Sequence, residues 1–428
     1  MRKKMILLAL TLFIGLSACG NDDKELPDEP GKEQGGNGGD EPESPDNPSG
    51  NEPVSWYVAT TGNDGNSGTL DSPLKSISKA LLRVNPGDTI FLREGAYHEF
   101  VTPTRSGEKG KLITLKSYPG ETAKIDGTGM TIKGWFSALV QLKSVQYMTF
   151  ENLHICNATN SDVNTDPEGV YINGVSRDIT FRNCKVYNIK STCLAGHNNG
   201  DWRSAHAFLV IGDDNGTPIR NLTIEKCEIY DMHTGTSETL TIAGNVDGFT
   251  IQDCEVHDVE NIGIIVAGGD NLNAGGNISV NYARNGVVRR NKVYRCSHQV
   301  SKDFWEGVYN NPAAYGAIGI YVCGGASTII EQNIVWECDR LVSESNVLAT
   351  KDCIVRNNFV YNNYRTGIYL GDYIGYTVGG TSGCYVVNNT LYHNNLVGGA
   401  LNGSNNSENI NDEILVMASD NIFDFSLC

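Results

Sequence analysis

Basic charge is scarce in this chain. Lys and Arg number 33 against 50 Asp and Glu, for a net charge of −17, which argues against a nucleic-acid partner. Zinc-binding spacing is missing: no Cys-x-x-Cys and no Cys/His pattern occurs among 12 cysteines and 8 histidines. The apolar run behind Arg2, Lys3 and Lys4, from Ile6 to Leu16, is too short to span a bilayer. Residues 20–52 contain no aromatic residue and hold eleven acids against two Lys. Such a stretch cannot bury enough apolar surface to order itself and reads as a solvated tether. With the +3 of residues 1–19 and the −9 of the tether set aside, the rest of the chain carries −11. An acidic ligand would then need a cation or a local basic patch.

What the chain does contain is a repeat. The eight residues from Phe150 to Asn157 align with Phe181 to Asn188, Ile224 to Asp231, Ile251 to Asp258, Val288 to Arg295, Ile330 to Glu337, Val355 to Asn362 and Val386 to His393, at spacings of 25 to 43 residues. The first and sixth places are aliphatic or Phe throughout. The fourth runs Leu153, Cys184, Cys227, Cys254, Asn291, Asn333, Asn358, Asn389, and Asn421 marks a possible ninth copy. The seventh runs Cys156, Tyr187, Tyr230, His257, Tyr294, Trp336, Tyr361, Tyr392 and is expected to stack on an outer face. A second phrase, Gly-aliphatic-x-aliphatic, precedes most copies, as at Gly169, Gly263, Gly319 and Gly367. Both phrases alternate with period two and are too short for helices. A unit of two or three short strands repeated in this way is one turn of a β-solenoid.

This pattern resembles the right-handed parallel β-helix of the pectate-lyase-like superfamily. The expected fold is all-β: about nine coils over residues 138–428 behind a cap at 53–137 that contains a helix. In the cap, Trp56 to Val58 and Thr89 to Leu92 read as strands. Ser72-Pro73 reads as a helix start, with Leu74, Ile77 and Leu81 on one helix face. Trp56 to His98 resembles the opening segment of family 9 polysaccharide lyases. The asparagine column is expected to occupy a left-handed turn and to hydrogen-bond between coils. Stacked cysteines, about 4.8 Å apart from coil to coil, could bridge or stand as buried thiols; the thiol ladder is the plainer reading. No closing element precedes Cys428, so a shortened chain or an unusual cap is expected.

Leu16-Ser17-Ala18-Cys19 resembles a bacterial lipoprotein cleavage box, and Gly20 to Asp23 resembles the surface-export signal of Bacteroidetes lipoproteins. That resemblance implies residues 1–19 as signal peptide, 20–52 as tether, lipidation at Cys19, and an outer-membrane anchor facing outward.

Long loops gather on both sides of the Gly-aliphatic-x-aliphatic strands, which is how a binding cleft looks in a solenoid. Asp213, Asp214 and Asp270 follow those strands at matching offsets and are candidate calcium ligands. Each also fits as a turn residue. His206 and Glu238 stand at identical offsets in adjacent coils, close enough to share a proton, and strict alternation turns both inward with Ile262 and Ile318. Lys302, Asp303, Trp305 and Glu306 form a loop segment suited to sugar binding. Glu344 and outward Tyr171, Tyr321 and Tyr369 are expected to pave the same sheet.

The resemblance implies a polysaccharide partner and β-elimination of a uronate glycan, with Lys302 as base and calcium held by Asp213, Asp214 and Asp270. A glycoside hydrolase is the alternative; it needs two carboxylates about 5 to 9.5 Å apart, and Asp270, Asp303, Glu306 and Glu344 offer pairs. A non-catalytic glycan-binding solenoid is the third reading. A monomer is expected.

Overall fold

The computed structural model describes residues 52–162, 164–193, 203–268, 279–301, 317–345, 350–372, 381–396, 414–416 and 422–424. Among them lie three long parallel sheets of 12, 9 and 11 strands. From Ser137 onward each coil contributes one strand to the nine-stranded sheet, then one to the twelve-stranded, and most add one to the eleven-stranded. The chain is thus a right-handed β-helix. The eight-residue phrase spans the last two strands of a coil. Its first place pairs coil to coil, Phe150 with Phe181 with Ile224 with Ile251 with Val288. Its sixth pairs Val293 with Val335 with Val360. These side chains are buried in one continuous core, where Phe150 and Phe181 stack at 4.6 Å.

The asparagine column is buried, and each amide spans two coils. Asn333 Oδ1 accepts from the backbone N–H of Asn291 at 3.0 Å, while its Nδ2 donates to Val288 O at 3.0 Å; Asn358 and Asn389 continue the series. The left-handed expectation is corrected. Positive φ falls on the third and eighth places instead, at Asn152, Asn183, Lys226, Asp253, Arg290 and Gln332, and at Asn157, Asn188, Asp231, Asp258, Arg295 and Glu337. The third place sits where the chain passes from the twelve- to the eleven-stranded sheet, the eighth at a bend within or at the end of the eleven-stranded sheet's strands, and most are partly exposed. The bend therefore accepts Lys, Arg and Glu despite the steric cost of αL, and the asparagine is kept for its amide.

Cys184, Cys227 and Cys254 in one column, and Cys296 and Cys338 in another, are free and buried, so the thiol ladder holds there. Cys184, Cys227 and Cys254 each donate weakly to a carbonyl of the preceding coil at 3.5 to 3.7 Å. On the outer face of the eleven-stranded sheet, the seventh-place rings form one pillar. Tyr187, Tyr230, His257, Tyr294, Trp336 and Tyr361 stack at centroid distances of 5.0, 5.3, 4.8, 4.2 and 5.8 Å, with their planes nearly parallel.

The cap strands Ser55–Val58 and Thr89–Leu92 extend the twelve-stranded sheet. Its helix runs Ile77–Arg83 with Ser76 as N-cap, four residues later than Ser72-Pro73 predicts. Leu74 is held extended by backbone bonds to Tyr57 and Ala59. Asp64 then accepts from the backbone N–H groups of Lys75 and Ser76, so the chain is free to coil only after Ser76.

Candidate functional site

The nine-stranded sheet carries a cluster of buried ionisable groups at one edge. Its strands include Ser137–Lys143, Pro167–Asn173, His206–Gly212, Glu238–Gly244, Ile262–Ala267 and Ile318–Cys323. One column at its leading edge runs Ala138, Glu168, His206, Glu238, Ile262. Alternation counted back from the interior residues Val170 and Phe208 turns this column inward. The structure does the opposite. Ile262 packs with outward Ile265 and Tyr321 in a cluster separate from the core. The next place along takes the interior: a Cβ on Gly169 would lie 2.8 Å from Val186 Cγ1, and one on Gly319 would lie 2.8 Å from Val335 Cγ1. The strand turns a corner at that glycine, and the alternation count slips there by one residue. His206 and Glu238 thus flank the outer face.

Glu168, which the sequence reading passed over, completes the group. His206 Nδ1 lies 3.1 and 3.0 Å from the two Glu168 carboxylate oxygens, and Nε2 lies 3.6 Å from Glu238 Oε2. Thr241 Oγ1 donates to the same Glu238 oxygen at 3.4 Å. Asp166 precedes Glu168 and is also buried. Burial, then the charge of Glu168, pushes Asp166 up to about 8. Burial pushes Glu168 up as well, against the pull of His206. For His206, burial works against the charged ring, yet Glu168 and Glu238 outweigh it and hold its pKa well above the ordinary value. Asp166 and the His206 imidazole thus retain protons at neutral pH, the arrangement expected of acid–base machinery.

A buried polar band supports this edge. Arg203 donates to Ser191 O at 2.7 Å and pairs with Glu260 at 2.9 Å, and Glu260 also accepts from Gly235 N at 2.9 Å. Ser204 and Ser237 share a 2.8 Å hydrogen bond. Asp339 accepts from Ser297 Oγ and Ala317 N at 2.9 and 2.7 Å. These bonds fix the segments that lead into the strands. At the first coil, Trp135 stands 54% exposed. Backbone bonds from Ser137 N to Asp166 O and from Asp166 N to Gly134 O tie its segment to the acid cluster. No repeat flags Trp135 or Asp166 in the sequence.

Tyr171, Tyr321 and Tyr369 do lie on this sheet's outer face but are 7, 9 and 4% exposed. Phe136 covers Tyr171 at 5.2 Å, and Tyr321 and Tyr369 pack into the Ile262 cluster. They brace the sheet and are not open platforms. Asp213 accepts from Asn173 Nδ2 and Gly174 N at 3.0 and 2.8 Å, and Asp214 closes a turn through Gly216 N and Thr217 N. With those oxygens facing N–H donors, the pair does not fit calcium, which takes six to eight oxygen ligands. Among the described residues no group of three or more His, Cys, Asp or Glu could hold a metal. Asp270, Lys302, Asp303, Trp305, Glu306 and Cys19 lie outside the described residues, as does the side chain of Glu344, whose strand Arg340–Ser345 joins this sheet.

A family model described as the Pel9A-like, right-handed β-helix region matches residues 56–259. The uncharacterized protein YwoF of Bacillus subtilis is 31% identical over 346 residues, 80% of this chain and 69% of that one. Pectate lyase PEL9 of Emericella nidulans is 30% identical over 142 residues, 30% of this chain and 33% of that one. Among solved structures, the GH136 lacto-N-biosidase of Eubacterium ramulus superposes with a TM-score of 0.54 at 15% identity, covering 87% of this chain and 68% of that one.

Proposed function

The chain belongs to the Pel9A-like right-handed β-helix family, and on that footing we propose that it is an enzyme that cleaves a polysaccharide. The observation that carries this reading is the Glu168–His206–Glu238 column on the outer face of the nine-stranded sheet. The segments leading in are pinned by buried bonds, so the column is pre-organised for proton transfer. Kinship with a pectate lyase over 142 residues favours β-elimination of a uronate glycan. In that chemistry a base removes the proton beside the sugar carboxylate, the C4–O bond breaks, and an unsaturated sugar is left. Lys302 is the proposed base, and Trp135 offers a face on which a sugar ring can stack. No step is assigned to calcium.

Hydrolysis is a second reading, favoured by Asp166. A carboxyl pushed up to about 8 keeps its proton at neutral pH, a sign that this cluster holds protons for acid catalysis, with Asp166 itself buried behind the column. The experiment is a screen of plant and host polysaccharides with and without EDTA. Elimination yields ultraviolet-absorbing products together with new reducing ends. Hydrolysis yields reducing ends alone, and neither signal would leave a glycan-binding solenoid.

The proposed setting is the cell surface, through lipid on Cys19. Acyl chains on that residue would anchor the chain stably where a single chain would not. Cys19→Ala should free an intact protein from the membrane fraction; partition with membranes at high salt would overturn the anchor.

A further inference from the structure

Four ionisable groups meet at the edge of the nine-stranded sheet, and they differ in access. Asp166, Glu168 and His206 are 1, 0 and 1% exposed, whereas the Glu238 side chain retains 11%. Glu238 is therefore the end of the chain of contacts that can reach a bound molecule. Thr241 steadies its Oε2 from one side and His206 Nε2 faces it from the other. His206 is fixed at its far nitrogen by Glu168. On either side of these coils the column reads Ala138 and Ile262, so this polar stretch spans three adjacent coils between apolar neighbours.

We propose that Glu238 is the catalytic residue that protonates the departing glycosidic oxygen, and that His206 and Glu168 are positioning residues that aim and recharge it. This rests on the cleavage reading and holds for elimination and hydrolysis alike, because both expel the same kind of oxygen. In the step, the carboxyl proton of Glu238 moves to the glycosidic oxygen as the C–O bond breaks, and the bond's electron pair leaves on that oxygen. His206 then passes its Nε2 proton to Glu238. Water returns a proton by way of Glu238 to the vacated Nε2, while Glu168 holds the proton on Nδ1, and the base that opened an elimination releases its own proton to solvent. Charge and protons balance over one turnover. The groups facing His206 are Glu168 and Asp166 from the preceding coil and Glu238 from the next; Arg203, nearby, is matched by Glu260.

The test measures kcat/KM against pH for the full chain on polygalacturonate and on each polysaccharide that the screen shows to be cut. Glu238→Gln should lose at least ~100-fold with its melting temperature kept, the range for general acid–base catalysis, and Glu238→Asp should recover part of it. Glu168→Gln removes a negative charge beside His206, so the alkaline limb should move to lower pH. A merely structural role would scale activity equally at every pH. Full activity in Glu238→Gln, or an unmoved limb in Glu168→Gln, overturns the proposal while leaving cleavage intact. Inactivity of the wild type on every polysaccharide overturns the cleavage reading and this assignment with it. Imidazole NMR decides the geometry independently: a His206 titrating at the ordinary ~6.5 overturns the relay.

Discussion

Two charged columns run along this molecule, and they solve the same problem differently. Stacking in register places each residue about 4.8 Å from its counterpart in the next coil, so like charges would repel. On the twelve-stranded sheet the column reads Lys116, Glu151, Arg182, Glu225, Gln252, Arg289, Glu331, Arg356. Signs alternate, with Gln252 bridging Glu225 and Arg289 at 2.7 and 2.9 Å, and the side chains remain partly exposed. On the nine-stranded sheet, Glu168, His206 and Glu238 are buried, and protons instead of Lys or Arg supply the balance. A solvated column matched by fixed cations is support. A buried column matched by movable protons is a candidate for chemistry.

The most damaging change should be in neither column. Val335→Asp places an unpaired charge in the core and should abolish folding, read as loss of a cooperative melt. Exposed Lys292→Ala, one place away from the inward Val293, should do little. Equal tolerance at both would break the register on which the comparison depends.

Next comes replacement of the buried column by residues like those beside it. Glu168→Leu, His206→Leu and Glu238→Ile together should abolish activity and yet be neutral or raise stability by about 1–4 kcal/mol, because apolar groups of similar volume escape the desolvation cost. A large loss of stability would make the column structural.

Stability should also depend on pH through this column. Asp166 and Glu168 have raised values and so does His206, so the folded state binds more protons than the unfolded chain. The His206 contribution is complete below ~6.5 and is lost as pH climbs through its raised value. The acids cost progressively more from about pH 4 up to about 8. The melting temperature should therefore fall as pH rises from 5 to 9, and the triple replacement should flatten that slope.

The smallest effect belongs to the solvated column. Arg182→Ala removes a 2.5 Å pair with Glu225 but should cost under about 1 kcal/mol, as exposed ion pairs do, by chemical denaturation in low salt.

The coil order was legible because the first and sixth places of the phrase have no alternative to the core. His206 and Glu238 could be paired by counting, since both sit one residue ahead of the same position. Their orientation could not, because alternation holds only within a strand and Gly169 marks where the strand bends. Glu168 stands at the same offset one coil earlier, so the same count reaches it once Gly169 is aligned with Ala207 and Thr239. The asparagine column was half legible. Its hydrogen bonds follow from stacking, while the left-handed places carry such mixed residues as Arg290 and Gln332 that composition conceals them. The tyrosines on the cleft sheet were placed on the right face, but what covers them comes from other parts of the chain.

The ring pillar makes the solenoid its own spectrometer. Trp336 sits between Tyr294 and Tyr361 at 4.2 and 5.8 Å, near enough for tyrosine excitation to drain into the indole. Near-parallel rings also couple their transitions and give an exciton signature in the near ultraviolet. The share of tyrosine-excited indole emission that Trp336→Phe removes thus reports whether these two coils remain in step with Trp336, without any added label.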